Sequence, residues 1–442
     1  LLSLAVADAC RGNAQRALTW ALWALSCCMA LTLSSLALER IAASCDVLST
    51  TAASSVTLRV QGLASPTSDG RYRCRARVED GKGLACEVWL VCDKDYAPGT
   101  CLGGVGSFAS AGDDEWGTSL RMCCVAGTLS LAHVEWSEGP PEPLDTLARV
   151  RRALLRSIDP TRSPERALLA GSVCGERSAL REMGISDLFA ACGVAHLVAV
   201  SGGHLMVVSE LMGHVLEAAG MRPRRRTLLL VVASGVFVAA CGAPVSAVRA
   251  WLMYVVTRGG SLVGRRSHSL SAVCIVALAM ALTNPGVTGE LGYVLSVASV
   301  CGLCALSGYA RYAIDVLLGR RRLAWVRPPK VRRALFRMSD AARASLATSL
   351  VALVVTLPLT AEAFGQVSLV GPAANVVLGE VFAAYVALGV IAVAFTPLPH
   401  VQAIALHGCD ALGGLMISFL RLLARLPMGQ VVVDGGLCLH VF

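Results

Sequence analysis

Charged residues are scarce in this sequence. They make up 16% of its 442 residues, whereas hydrophobic residues make up 55%, and the mean hydropathy is +0.63. A typical soluble domain has about 25% charged residues. The composition is therefore too apolar for a soluble protein of this length, and it predicts a polytopic α-helical membrane protein.

The motifs of several enzyme classes are also missing. There is no GxxxxGK[ST] phosphate-binding loop, so ATP hydrolysis is not expected. Ser201 lies in SGG rather than in a GxSxG elbow. His196, His204 and Glu210 do not have the spacing of an HExxH-type zinc site. The sequence therefore predicts no catalytic residue, no metal ligand and no cofactor.

Cysteine is frequent, with 18 residues, but most lie singly in apolar segments, where the thiol behaves as a small hydrophobe. Cys301 and Cys304 form a CxxC with no second pair at metal-site spacing, which indicates packing. A polar region contains an even number, which permits disulfides in an oxidising compartment without defining the pairs. These are Cys74, Cys86, Cys92, Cys101, Cys123 and Cys124.

The N-terminal part predicts a membrane segment at residues 1–40. Arg11 and Arg16 precede the apolar run 17–38, so the positive-inside rule puts them in the cytoplasm and the following region outside. The chain starts at Leu1 and stops at Phe442, both within apolar runs, and is interpreted as a fragment of a longer product.

Residues 41–138 have the pattern of a small antiparallel β domain. Alternating stretches such as RYRCRARVED and LACEVWLVCD are separated by turns such as SPTSDG and GKG. Trp89 and Trp116 are expected in its core. A basic strand face is expected either to be an ordinary solvated surface or to contact nucleic acid. Its members are Arg71, Tyr72, Arg73, Arg75, Arg77 and Lys82.

Residues 139–165 predict a linker and a basic helix. GPPEPLD, at 139–145, is rich in proline and should not be helical. An amphipathic helix is expected from Leu147 to Ile158, with Arg149, Arg151, Arg152 and Arg156. Such a helix can lie on a membrane surface or contact substrate phosphates. Ser163 and Pro164 then predict the cap and first residue of the next helix.

The stretch 193–213, GVAHLVAVSGGHLMVVSELMG, is long enough to span a bilayer but unusually polar. Each polar group costs free energy in hydrocarbon unless it is paired. As one helix, the stretch would place His196 and Gly203 on nearly one face, next to His204. Gly202-Gly203 would weaken that helix or admit another backbone. A tightly packed helix interface is the alternative interpretation.

The run 227–257 is interrupted at CGAP, where Gly242 and Pro244 predict a helix break. Ser246 and Arg249 follow on one helix face. Either both residues lie on a functional path, or the arginine side chain reaches a nearby membrane interface. Basic loops lie at 221–226, 258–266 and 319–337. Because the positive-inside rule places all of them on the cytoplasmic side, a re-entrant hairpin is favoured here. Further spans are predicted at 267–282, 289–309, 341–359, 371–395 and 401–423, with Asn375 bridging helices or lining a path.

Four blocks in order resemble the ComEC family of bacterial natural competence. They are LLAGSVCGERSALREMGISDLFAACGVAHLVAVSGGHL, GAPVSAVRAWLM, TNPGVTGELGYVLSVASVCGL and VTLPLTAEAFGQVSLVGPAANVVLGEV, covering about 168–381. The sequence departs from the common pattern at Gly203, where a larger apolar residue is usual. It also departs at Thr288-Gly289-Glu290, where the family tends to be apolar.

The resemblance implies a DNA channel of the cytoplasmic membrane with an extracytoplasmic OB-like barrel at 41–138 and a polytopic domain at 166–442. It implies single-stranded DNA as the substrate, and as partners a DNA receptor, a nuclease that degrades one strand and a cytoplasmic ATP-driven motor. The lipid bilayer and a second copy of the chain, forming a homo-oligomer, complete the expected partners. No HxHxDH cluster occurs, so the family's metallo-β-lactamase-like domain is expected to be absent.

The sequence hypothesis is therefore a membrane channel that conducts single-stranded DNA inward, without catalysis. A transporter for a small anionic solute and a metal-dependent membrane hydrolase are the alternatives. The expected DNA contacts are Arg71, Arg73, Arg75, Arg77, Lys82, Arg151 and Arg152. The expected path residues are His196, Ser201, Gly202, His204, Pro244, Ser246, Arg249 and Asn375.

Overall fold

A computed structural model describes the chain over most of its length. The described residues are 55–67, 69–79, 86–112, 115–262, 264, 269–317, 330–364, 366–425 and 430–432, with single positions between 32 and 48. Most of the predicted first span, and Lys82, lie outside the described residues.

The chain forms two compact units. The barrel unit comprises Leu1–Thr146 and Cys274–Val294, and the helical unit comprises Leu147–Val273 and Leu295–Phe442.

A six-stranded sheet closes on itself in the barrel unit. The strand order is β1-β5-β6-β4-β3-β2, and an antiparallel pairing of β1 with β3 completes the closure. β4 and β6 are parallel, whereas the other neighbours are antiparallel. The strands are β1 (Val56–Val60), β2 (Ser65–Pro66), β3 (Tyr72–Val78), β4 (Glu87–Cys92), β5 (Cys101–Ser110) and β6 (Val125–Glu138). This small closed barrel confirms the predicted OB-like domain.

The alternation of side chains explains how the barrel forms. In β3, Cys74, Ala76 and Val78 are buried, and the arginines between them face outward. Trp89 in β4 is half-buried on the outer face, between the buried Val88 and Leu90. The prediction that Trp89 belongs to the core was wrong, because its strand register directs it away from the apolar interior.

Two of the six cysteines of the polar region meet in the barrel core. Cys74 and Cys92 are buried free thiols on β3 and β4. The hydrogen bond that the Cys74 thiol donates to Cys92, together with burial, raises the pKa of Cys74 well above its ordinary value. Both residues therefore pack as small apolar side chains in this structure.

The remainder of the chain is mainly helical. A short helix, α1 (Glu115–Met122), lies between β5 and β6. After the barrel follow α2 (Glu142–Ile158), α3 (Pro164–Cys174), α4 (Ser178–Glu182), α5 (Ile185–Ala191), α6 (Ala195–Val198), α7 (Gly202–Ala218), α8 (Pro223–Ala240) and α9 (Val245–Leu262). Then come α10 (Ser269–Thr283), a 3₁₀ turn (Pro285–Gly289), α11 (Leu291–Leu317), α12 (Lys330–Phe364), β7 (Gln366–Ser368), α13 (Gly371–Ala394), α14 (Pro399–Ala424) and β8 (Gln430–Val432).

Four helices are long and apolar enough to cross a membrane. They are Leu291–Leu317, Ser339–Ala363, Gly371–Ala394 and Pro399–Ala424, and Ser269–Thr283 is a shorter apolar helix. These helices coincide with the last five predicted spans. The chain is a polytopic α-helical membrane protein with a small all-β domain, as predicted from its composition.

Two predicted boundaries differ from the structure. The stretch 193–213 is not one helix, because α6 ends at Val198 and α7 begins only at Gly202. His196 and Gly203 therefore belong to different helices. The linker prediction for 139–145 was too long, since α2 already begins at Glu142. A helix tolerates proline in its first turn, where the missing N–H has no intrahelical partner.

The predicted break in 227–257 is present. α8 ends at Ala240 and α9 begins at Val245, and Gly242 and Ala243 both have positive φ. The two helices then fold back on each other, since the Trp251 indole N–H donates to the Val231 carbonyl at 3.0 Å. The segment is thus a helical hairpin.

The core of the helical unit lies where α3 packs between α13 and α14. Leu168, Leu169, Leu378 and Tyr385 are fully buried there. Ser163 caps α3 as predicted, accepting the Arg166 backbone N–H at 3.3 Å. The buried Arg166 guanidinium binds both Asp410 carboxylate oxygens of α14, at 2.6 and 2.7 Å. A paired charge is tolerated among apolar helices.

Candidate functional site

The start of α7 is built around His204. The ring Nδ1 accepts the Ser201 backbone N–H at 3.2 Å, which satisfies a donor that the helix itself leaves unpaired. His204 is 1% exposed and packs edge-on against Phe382 of α13, with ring centroids 5.0 Å apart. Its Nε2 has no hydrogen-bond partner in the structure. A buried donor of this kind obtains its hydrogen bond from water or from a ligand.

The start of α9 lies against the same turn. The Ser246 hydroxyl donates to the Val200 carbonyl at 2.9 Å, a group that the break between α6 and α7 removes from helical bonding. A Cβ on Gly202 would stand 3.4 Å from the Cβ of Ala250, so the two helix starts are in van der Waals contact. Ser201, Gly202 and Ser246 are thus close together, as the path hypothesis requires.

Arg249 follows one turn after Ser246, and the break at Pro244 precedes both. Arg249 is 4% exposed, so its guanidinium is held inside the helical unit. Burial of an arginine is costly unless protein or water groups solvate it. The prediction that this arginine reaches a nearby interface is not consistent with that burial, which leaves an internal role.

His196 and Asn375 form a second polar contact. The Asn375 side chain lies near His196, and its amide donates to Ser349 Oγ of α12 at 2.6 Å. His196 itself is exposed on α6.

Two residues of this region were missed by the sequence analysis. Arg177, just before α4, interacts electrostatically with His204, and Ser349 extends the contact of Asn375. Ser349 lies far from the polar stretch 193–213 in sequence, and Arg177 precedes that stretch without any pattern that links it to His204. We call His196, Ser201, Gly202, His204, Pro244, Ser246, Arg249 and Asn375, with Arg177 and Ser349, the polar cluster.

Three strand residues form the centre of the basic face of the barrel. Arg73 and Arg75 of β3 lie over the Trp89 ring, with guanidinium carbons 5.2 and 5.7 Å from its centroid. The cations hold the indole on the outer surface. An aromatic ring flanked by arginines is the combination that single-stranded nucleic acid binds by stacking and phosphate contact.

Arg75 also binds acidic groups. Its Nη1 lies 2.8 Å from Glu290 and 3.8 Å from Glu87. Glu290, which follows the 3₁₀ turn, therefore has an ionic partner on β3. Burial raises the pKa of Glu87, although Arg75 and Arg77 act in the opposite direction.

The remaining expected DNA contacts have different surroundings. Arg71 is paired with Asp69 at 2.9 Å and donates to Ser130 Oγ at 2.8 Å. Arg77 is exposed opposite Glu87, and Lys82 is outside the described residues. Arg151 is buried and binds Glu176 and the Cys174 carbonyl, both at 3.0 Å, so its guanidinium is committed to protein groups. Arg152 is exposed on α2.

Nothing in the described part of the chain groups three or more histidine, cysteine or acidic side chains as a metal site would. The arrangement offers hydrogen-bond donors, buried positive charge and one accessible histidine. Such a set of groups can line a path or hold an anion.

Comparisons with known proteins assign the family. The family model described as "Competence protein" matches residues 172–441, which include the polar cluster. ComE operon protein 3 of Bacillus subtilis (strain 168) is 34% identical over 106 residues, which are 24% of this chain and 14% of that protein. The match thus spans a small part of that relative. No solved structure matches the chain. Because the family match covers more than half of its length, this chain belongs to the competence protein family.

Proposed function

We propose that this chain conducts single-stranded DNA across the cytoplasmic membrane during natural transformation, with the polar cluster on the path. The observation that supports this most is the meeting of the starts of α7 and α9, where Ser246 donates to the Val200 carbonyl and the buried His204 keeps an unpaired Nε2. Membership of the competence family and the local identity to ComE operon protein 3 support DNA as the substrate.

The polar cluster suits passage better than catalysis. Arg249 and Arg177 provide positive charge for phosphates, and the unpaired Nε2 of His204 provides a hydrogen-bond donor. In this proposal the path carries out no catalysis, and a cytoplasmic ATP-driven motor provides the energy. A DNA receptor would deliver the strand, and the chain would act alone or as a homo-oligomer.

The barrel is proposed to lie on the outer side of the membrane and to receive the strand. Trp89 would stack on a base while Arg73 and Arg75 contact phosphates. Phosphate oxygens would then compete with Glu290 for Arg75. In the same proposal residues 1–40 form the first membrane segment, 41–138 the barrel, 139–165 the linker and basic helix, and 166–442 the channel domain.

Uptake of labelled DNA tests this proposal in cells that carry the complete gene. Arg249→Ala is compared with wild type and with Arg421→Ala, a matched variant on the exposed end of α14. External binding should persist while internalisation collapses in Arg249→Ala alone. If wild type moves no DNA although the protein is abundant and folded, the channel proposal fails. Transport of a small anionic solute would then be the function to test.

A further inference from the structure

The basic helix α2 lies beside the turn that joins two membrane spans. α13 ends at Ala394 and α14 begins at Pro399, and both are candidate spans. Helices of 24 and 26 residues reach about 36 Å at about 1.5 Å per residue. Because the hydrocarbon core is about 30 Å thick, the short turn between them has to lie at the membrane boundary.

Hydrogen bonds fix the end of α2 at this turn. The Gln402 side-chain amide donates to Ser157 Oγ of α2 at 3.1 Å and to Thr396 Oγ1 of the turn at 3.3 Å. Ile158 is buried in the core that α3, α13 and α14 share. The C-terminal half of α2 is therefore held at the depth where lipid headgroups lie.

The side of α2 that faces away from the protein is cationic. Arg149, Arg152 and Arg156 recur every three or four residues, so they share one helix face, and all three are exposed. Arg149 lies one turn after Asp145 and two turns after Glu142, the acidic residues of the first turn. Arg152 and Arg156 are further from these carboxylates and are the more available pair.

An apolar cleft of about 90 Å³ opens beside the same helix. Val150 and Leu154 of α2 line it together with Phe237, Ala240, Val390 and Val393. Val150 remains 50% exposed. A cationic surface above an apolar cleft, at headgroup depth, matches the two parts of an anionic phospholipid.

We propose that α2 binds an anionic phospholipid, with its phosphate on Arg152 and Arg156 and part of an acyl chain in the cleft. The occupant is a lipid rather than nucleic acid because the cleft is apolar and lies next to the ends of membrane spans. Phosphate contact alone would need no such cleft.

Native mass spectrometry of the purified full chain, offered equimolar phosphatidylglycerol and phosphatidylcholine, tests the proposal. Wild type should retain phosphatidylglycerol preferentially. Arg152→Gln with Arg156→Gln should lower that retention about twenty-five-fold, since each basic residue near a charged surface contributes about 1 kcal/mol, or about fivefold. The pair Arg59→Gln and Lys94→Gln removes two exposed barrel cations and should leave lipid retention unchanged.

Arg152→Lys with Arg156→Lys provides the rescue, because lysine restores the charge and should restore the lipid preference. A labelled single-stranded oligonucleotide is added in a separate arm. The proposal is overturned if wild type does not prefer phosphatidylglycerol, or if the lysine pair loses the preference as the glutamine pair does. Loss of oligonucleotide instead of lipid from the glutamine pair would overturn it in favour of a nucleic-acid surface.

Discussion

At the scale of single residues, His204 combines a structural and a chemical property. Its Nδ1 accepts the Ser201 N–H at the third position of α7, where a capping box usually has glutamate or glutamine. The rest of the ring is buried against Phe382 with an unpaired Nε2. Substitutions can separate the cap from the ring.

His204→Gln should keep the cap, whereas His204→Leu should lose it at a cost of about 0.5–2 kcal/mol in unfolding free energy. If the ring lies on the DNA path, both variants should internalise less DNA, but only the leucine variant should have a lower melting temperature. Thermal melting and uptake at matched membrane levels measure the two effects. Wild-type uptake by His204→Gln would show that the histidine serves only as a cap.

Glu87 predicts a pH dependence of the barrel. Because burial raises its pKa, the folded form binds the proton more tightly than the unfolded form. The contribution of Glu87 to stability is therefore greatest below the ordinary glutamate pKa of about 4.3 and falls as pH rises through the folded pKa.

Glu87→Gln should accordingly be at least as stable as wild type at pH 7. The variant should also lose less stability as the pH rises, while Arg75 keeps its contact with Glu290. Chemical denaturation of the purified chain at several pH values, followed by the tryptophan fluorescence of the barrel, measures the free energy of unfolding. A variant clearly less stable than wild type at pH 7 would mean that the pairing with Arg75 outweighs the cost of burial.

At the scale of elements, the α8–α9 hairpin depends on close packing at Gly235. A Cβ there would approach the Trp251 indole to 3.0 Å. Gly235→Val should therefore cost about 1–3 kcal/mol by overpacking. Gly259→Val on α9 is the matched control, since nothing lies within 4 Å of its Cβ position. Equal melting temperatures of the two variants would contradict the observed packing of the hairpin.

The barrel face makes a separate prediction about DNA binding by the full chain. Trp89→Leu should weaken binding of a labelled single-stranded oligonucleotide by about 1–3 kcal/mol, the usual contribution of base stacking. Arg73→Gln should reduce the slope of log affinity against log salt by about 0.7, because one phosphate contact is lost. Arg59→Gln on the neighbouring strand β1 should change neither. Fluorescence anisotropy at several salt concentrations decides between these outcomes.

The elements were predictable from the sequence wherever the pattern is local. Apolar length identified the later spans, alternation identified the strands, and Gly242 with Pro244 identified the hairpin break. The break before Gly202 was missed because the apolar run continues through it. Side-chain hydrogen bonds from Ser246 to Val200 and from Ser201 N–H to His204 compensate the lost helical bonding. Trp89 was misassigned because the register of its strand, not its apolarity, decides which way it faces.

At the scale of the whole molecule, local patterns could not assemble the polar cluster. Its residues come from the stretches before and after the hairpin break and from α12 and α13. Ser349 of α12 follows Arg249 by 100 residues in the chain. The family resemblance placed most of these residues in one function, but Arg177 and Ser349 became visible only through spatial contacts. The domain boundaries at 40, 138 and 165 remain predictions.

Photocrosslinking at position 196 is the most direct test of the central claim, that DNA passes along the polar cluster. A photoreactive residue is introduced in place of His196, or of Ile404, which is 75% exposed on α14, in cells that carry the complete gene and internalise DNA. We expect light-dependent DNA adducts at 196 during uptake and none at 404. Normal internalisation without adducts at 196, or with equal adducts at both positions, would contradict the account.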